Sequence, residues 1–103
     1  MAQIIKVADK KSIEAANSIM VEAGGQKIAL FKIGGNYYAI GDTCTHRGGP
    51  LSEGDLEGNI ITCPWHGAKF DVTSGNVVGP PARNNVPCYK VIVESEDIKI
   101  EIP

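Results

Sequence analysis

Apolar and polar residues alternate in short runs along most of the chain, and glycine-containing breaks separate the runs. The last run is the clearest. Ile98, Ile100 and Ile102 fall on one side of it, Lys99 and Glu101 on the other. A period of two marks a half-buried strand. The run over 88–94 precedes it across Ser95-Glu96 and predicts its hairpin partner. Near the start, 3–8 reads as a first strand. Runs over 19–23 and 26–33 flank Gly24-Gly25, and Gly34-Gly35-Asn36 separates Ile33 from a run over 37–40. Glycine pairs between such runs predict tight hairpins, because the turn needs positive φ. One segment, 12–17, reads as helix, with Ser12 as its N-cap and one or two turns at most. Short strands and frequent glycine turns predict an all-β fold, a small antiparallel β sandwich or barrel.

The stretch from Gly41 to Pro81 breaks this pattern. It holds eight of the twelve glycines, four of the six prolines, both histidines and two of the three cysteines. Turn formers mixed with metal-capable side chains point to a built site rather than slack loop.

Composition narrows the possibilities. The chain has 103 residues, one domain's worth. Ten Lys and Arg face twelve Asp and Glu, for a formal charge of −2. No basic stripe is present, so nucleic acid is not an expected partner. No apolar run approaches the roughly 20 residues that cross a bilayer, and no secretory signal is visible, so no membrane association and a cytoplasmic setting are expected. Six aromatic residues make a modest core that a metal would help to staple. An odd number of cysteines in a reducing compartment favours metal ligation over a disulfide framework.

Two segments carry the chemistry. Cys44-Thr45-His46-Arg47-Gly48-Gly49-Pro50-Leu51 and Cys63-Pro64-Trp65-His66-Gly67-Ala68-Lys69-Phe70-Asp71 together spell C-x-H-x16-C-x2-H. In a tight loop, residues two or three apart converge on one centre, so each segment offers one thiolate and one imidazole. Glycines beside them permit positive φ and close backbone approach. Two Cys and two His also satisfy zinc, but common zinc spacings pair like with like. The interleaved order favours an iron–sulfur centre.

On these residues the sequence resembles the Rieske-type [2Fe-2S] ferredoxins over essentially its whole length, including Gly79-Pro80-Pro81, which is similar to the family's proline loop over the cluster. The resemblance implies a Rieske-like antiparallel β sandwich or barrel, with a small cluster-binding subdomain at about 42–83 inserted in a single 1–103 domain. It implies one [2Fe-2S] cluster, Cys44 and Cys63 on the inner iron, and His46 and His66 on the outer iron. All four positions are then filled, which implies one-electron transfer rather than catalysis. A soluble, monomeric carrier between a flavin-dependent ferredoxin reductase and a terminal Rieske oxygenase follows from the resemblance. A small reductase subunit, another redox chain or a metal-dependent sensor are the alternatives.

The departures from the family are specific. Rieske proteins of cytochrome bc complexes carry a disulfide at the positions of Gly49 and Trp65, and Ser and Tyr hydroxyls at those of Ala68 and Phe70. Without those donors the reduced centre is less stabilised, which implies a reduction potential near the low end of the Rieske range. Trp65 reads either as packing beneath the loops or as part of an apolar collar with Leu51, Pro64, Pro80 and Pro81. Arg47 reads as solvated. Cys88 reads as a free thiol outside the site, and Asp42 and Asp71 as loop hydrogen-bonders rather than an acid–base pair. Phe31, Tyr37, Tyr38 and Tyr89 read as core or strand-surface residues.

Overall fold

Strands dominate because the short alternating runs can each bury one face, and the glycine turns return each strand against the last. The computed structural model describes residues 3–14, 16–44, 48–65, 67–80 and 84–102. Its strands are β1 (Gln3–Asp9), β2 (Ser18–Ala23), β3 (Gln26–Ile33), β4 (Asn36–Gly41), β5 (Asp55–Glu57), β6 (Ile60–Thr62), β7 (Lys69–Asp71), β8 (Val77–Gly79), β9 (Cys88–Glu94) and β10 (Asp97–Ile102). Six of them form one antiparallel sheet in the order β1-β10-β9-β4-β3-β2, which curls toward a barrel. The other four form a second sheet, β5-β6-β7-β8.

The helix, α1 (Lys10–Glu14), starts earlier than the sequence suggests and is five residues long. Ser12 therefore lies inside it, and Asp9 stands at the boundary. Burial sets this position: Ile13 is fully enclosed against the barrel core. Asn17 ends the segment with φ of 63°, a conformation Asn tolerates better than most residues.

β3 explains where the site sits. Its residues Ile28, Ala29, Leu30 and Phe31 are all fully buried. Ile28 and Leu30 point into the barrel, with Val21, Ala39, Ile98, Ile100 and Ile102. Ala29 and Phe31 point the other way, into a second core with Ile40, Leu51, Ile61, Phe70 and Val86. The uninterrupted apolar run is thus a strand covered on both faces. The second core also contains Cys44 and Cys63.

Candidate metal centre

Each cysteine opens a hairpin loop, and the two hairpins share one register. Thr43 bridges Pro50 in the first, and Thr62 pairs with Lys69 in the second. In the first, the Cys44 N–H donates to the Gly49 carbonyl at 2.9 Å, and the Gly48 N–H donates to the Cys44 carbonyl at 2.8 Å. In the second, the Cys63 N–H donates to the Ala68 carbonyl at 2.7 Å, and the Gly67 N–H donates to the Cys63 carbonyl at 3.2 Å. Gly48 and Gly67 both take φ of +76°, the left-handed conformation that favours glycine. Each loop therefore presents its cysteine at the base, held on both sides by main-chain hydrogen bonds.

The bases of the loops are dry. Cys44 is 2% and Cys63 3% exposed, and neither is in a disulfide. The sulfurs are neighbours: burial pushes the Cys63 thiol pKa up, and its hydrogen bond with the Cys44 side chain pushes it further. The Trp65 backbone N–H donates to the Cys63 sulfur and acts in the opposite direction. Two adjacent buried thiolates repel each other unless a cation lies between them. A soft thiolate pair with backbone N–H support is a donor set that fits an iron–sulfur centre.

His46, His66, Arg47 and Pro81 lie outside the described residues, so the sequence expectations for them rest on spacing and resemblance. Trp65 lies over Gly49: a Cβ on Gly49 would stand 3.1 Å from the Trp65 Cγ and 2.7 Å from the Cys63 sulfur. The residue is nonetheless 52% exposed, so it caps the first loop at the surface instead of packing beneath it. Pro64 and Pro80 are exposed as the collar requires, as is Val78 at 53%. Leu51 is not part of that surface. It is fully buried in the second core, because it occupies the place in the first hairpin that Phe70 occupies in the second. Ala68 and Phe70 are also fully buried, and neither side chain carries a hydroxyl.

The remaining candidates have structural roles. The Asp42 carboxylate, 4% exposed, accepts the Ser52 N–H at 2.8 Å and ties down the turn after the first loop. Asp71 accepts both the Thr73 N–H at 2.9 Å and the Thr73 hydroxyl at 2.6 Å, closing a local turn. Phe31 is core, and Tyr37, Tyr38 and Tyr89 are half-buried around the two cores. Cys88 is exposed and faces the Thr73 carbonyl at 3.7 Å. Partial burial and the nearby Asp71 carboxylate push its thiol pKa up, which makes it a poor nucleophile. Cys88→Ala is expected to leave the visible absorption spectrum unchanged; an altered spectrum would make it a ligand. Sequence reasoning missed Asn85, whose Oδ1 accepts the Val77 N–H at 2.9 Å.

Comparison with known proteins agrees with this architecture. The sequence profile of the Rieske [2Fe-2S] domain matches residues 3–90. The 3-phenylpropionate/cinnamic acid dioxygenase ferredoxin subunit of Shigella boydii is 43% identical over 77 residues, covering 74% of this chain and 73% of that protein. The ferredoxin of carbazole 1,9a-dioxygenase from Nocardioides aromaticivorans superposes with a TM-score of 0.90 at 25% identity, over 95% of this chain and 96% of the other. A ferredoxin in complex with the oxygenase of carbazole 1,9a-dioxygenase superposes at 0.86 with 31% identity, over 94% and 91% of the two chains. Mouse apoptosis-inducing factor 3 is 34% identical over 91% of this chain, which spans only 16% of that longer protein. The chain therefore belongs to the Rieske [2Fe-2S] domain family, and a Rieske-type [2Fe-2S] cluster is its cofactor.

Proposed function

We propose that this protein is a one-electron carrier, the ferredoxin component of a dioxygenase system, passing electrons from a flavin-dependent reductase to a terminal Rieske oxygenase. The observation that carries the reading is the pair of matched hairpins bringing Cys44 and Cys63 together in a dry core. Cys44 and Cys63 hold the inner iron, and His46 and His66 hold the outer iron. The cluster supplies reversible one-electron transfer without an open coordination position. The chain supplies the rest. Main-chain N–H groups of the loops stabilise thiolate charge, and the second core keeps water from the sulfurs. Residues 42–83 serve as the cluster-binding subdomain. Trp65, Pro64, Val78 and Pro80 give an exposed apolar rim suited to brief docking. The ferredoxin relatives and the ferredoxin–oxygenase complex support the oxygenase as partner. Among the described residues no helix is long and apolar enough to cross a membrane. A monomer working in the cytoplasm suits such a carrier.

Two measurements test the reading. Dithionite-reduced protein should give an electron paramagnetic resonance signal with the low average g value of mixed Cys/His ligation. Silence, or the signal of an all-cysteine cluster, would reject the ligand set. Because Ala68 and Phe70 offer no hydroxyl at those two positions, the midpoint should lie at about −150 mV by voltammetry. A value well above zero would show that other donors stabilise the reduced state.

A further inference from the structure

Position 49 is a glycine for a reason that lies outside its own loop. Gly49 and Ala68 are equivalent in the two hairpins: the Cys44 N–H donates to the Gly49 carbonyl, and the Cys63 N–H donates to the Ala68 carbonyl. Ala68 carries its methyl into the second core, so this place in a hairpin accepts a side chain. Gly49 does not take the positive φ of its neighbour Gly48, so its backbone conformation does not demand glycine either. Contact with the other loop demands it. A Cβ on Gly49 would stand 2.7 Å from the Cys63 sulfur, 3.1 Å from Trp65 Cγ and 3.2 Å from Trp65 Cδ2. The bare main chain of the first loop thus lies where the sulfur and the indole of the second come together.

Trp65 meets that sulfur in two ways. Its main-chain N–H donates to the Cys63 sulfur, and its ring lies over Gly49 beside the same atom. Cys63 is 3% exposed, and Gly49 is buried although Gly48 before it is exposed. Trp65 itself is about half exposed, so part of it faces water while the rest covers the glycine. An indole brings a broad apolar surface to a place where glycine offers no side chain of its own. Dryness matters at this atom, because a thiolate that gains a proton releases the metal it holds.

We propose that Trp65 is a positioning residue for the metal centre: its indole, seated on the bare Gly49 main chain, ties the second cysteine loop to the first and keeps water from the Cys63 sulfur. The inference rests on the metal-centre reading above. It gives Trp65 a duty within the chain itself, separate from the docking rim, and no partner is needed to observe it. Without the ring, water and chelator reach the sulfur through the side that Gly49 leaves bare.

The test uses the cluster-loaded protein, with Trp65→Ala and Trp65→Phe compared with the parent. Phenylalanine keeps ring carbons at the Cγ and Cδ2 positions nearest Gly49, and alanine keeps neither. Bleaching of the visible absorption in excess EDTA is expected to be about tenfold faster for Trp65→Ala, and within about threefold of the parent for Trp65→Phe. Without chelator, amides of β6 and β7 should exchange at parental rates in loaded Trp65→Ala, because Trp65 belongs to neither core. Equal bleaching of Trp65→Ala and parent would leave Trp65 to the docking rim alone and overturn the proposal. So would Trp65→Phe bleaching as fast as Trp65→Ala, or faster exchange in β6 and β7, which would trace the bleaching to a loosened sheet. A parent protein with no cluster absorption would overturn the metal-centre reading itself, and the proposal with it.

Discussion

Replacing Cys63 with alanine is expected to give a colourless protein whose six-stranded sheet survives while the second sheet loses its protection against hydrogen exchange. The two cores justify the split. The barrel core is built from Ile13, Val21, Ala23, Ile28, Leu30, Ala39, Ile98, Ile100 and Ile102, and neither cysteine hairpin contributes to it. The second core draws Cys44, Leu51, Ile61, Cys63, Ala68, Phe70 and Val72 onto the outer face of β3 and β4. Each strand of the second sheet is only three residues long. Strands that short bring few ladder hydrogen bonds and little apolar area, so the sheet needs the metal as a staple. Amides of β6 and β7 should exchange about a hundredfold faster or more, while those of β3 and β10 keep their rates. Cys44→Ala, or chelation of the parent, should give the same pattern. A coloured, iron-loaded Cys63→Ala protein would remove Cys63 from the ligand set. Equal loss of protection in both sheets would show that the cores are not independent.

Gly54→Ala should destabilise the protein by about 3 kcal/mol, seen as a thermal midpoint roughly 10 °C or more lower. The cause is contact, not conformation. Gly54 has φ of −79° and ψ of −174°, extended backbone that any residue adopts. An added Cβ, however, would run into the Thr62 carbonyl oxygen and lie 3.0 Å from its carbon. Neither side can give way easily. The Gly54 N–H donates to the Leu51 carbonyl at 3.0 Å, and Thr62 is held between β5 and β7. Gly25 is the control. It has φ of +77° with nothing near its missing side chain, so alanine there should cost only the conformational term, about 1 kcal/mol. Equal losses at the two positions would refute the steric account.

The barrel was legible because its strands are long enough for a pattern. Ile98, Ile100 and Ile102 alternate strictly, and all are buried in β10. The run at Ile28 to Phe31 was recognisable as strand, but nothing in it says that two different cores cover its faces. Strands β5 to β8 escaped notice because three residues cannot establish a period of two, and glycine and proline crowd between them. The helix was misplaced because Ser12 is a good capping residue, while burial of Ile13 governs where the turn forms. The two Cys/His segments stood out through residue type and spacing. Leu51 was misread because it adjoins a ligand segment. Aligning the loops from their cysteines would have corrected it, since Leu51 and Phe70 are both seven residues on. Asn85 gave no signal: a lone amide in a polar loop matters only once its fold partner, Val77, is known.

The matched hairpins carry one more implication. Their main chains agree in pairing, in bonding around the cysteine and in the handedness of the fifth loop residue. At the described positions Cys44, Gly48 and Gly49 on one side and Cys63, Gly67 and Ala68 on the other, the two backbones are bonded alike. Any inequality between the two halves of the centre must then be written in side chains: a histidine third in one loop and fourth in the other, and a tryptophan on one side facing bare glycine on the other.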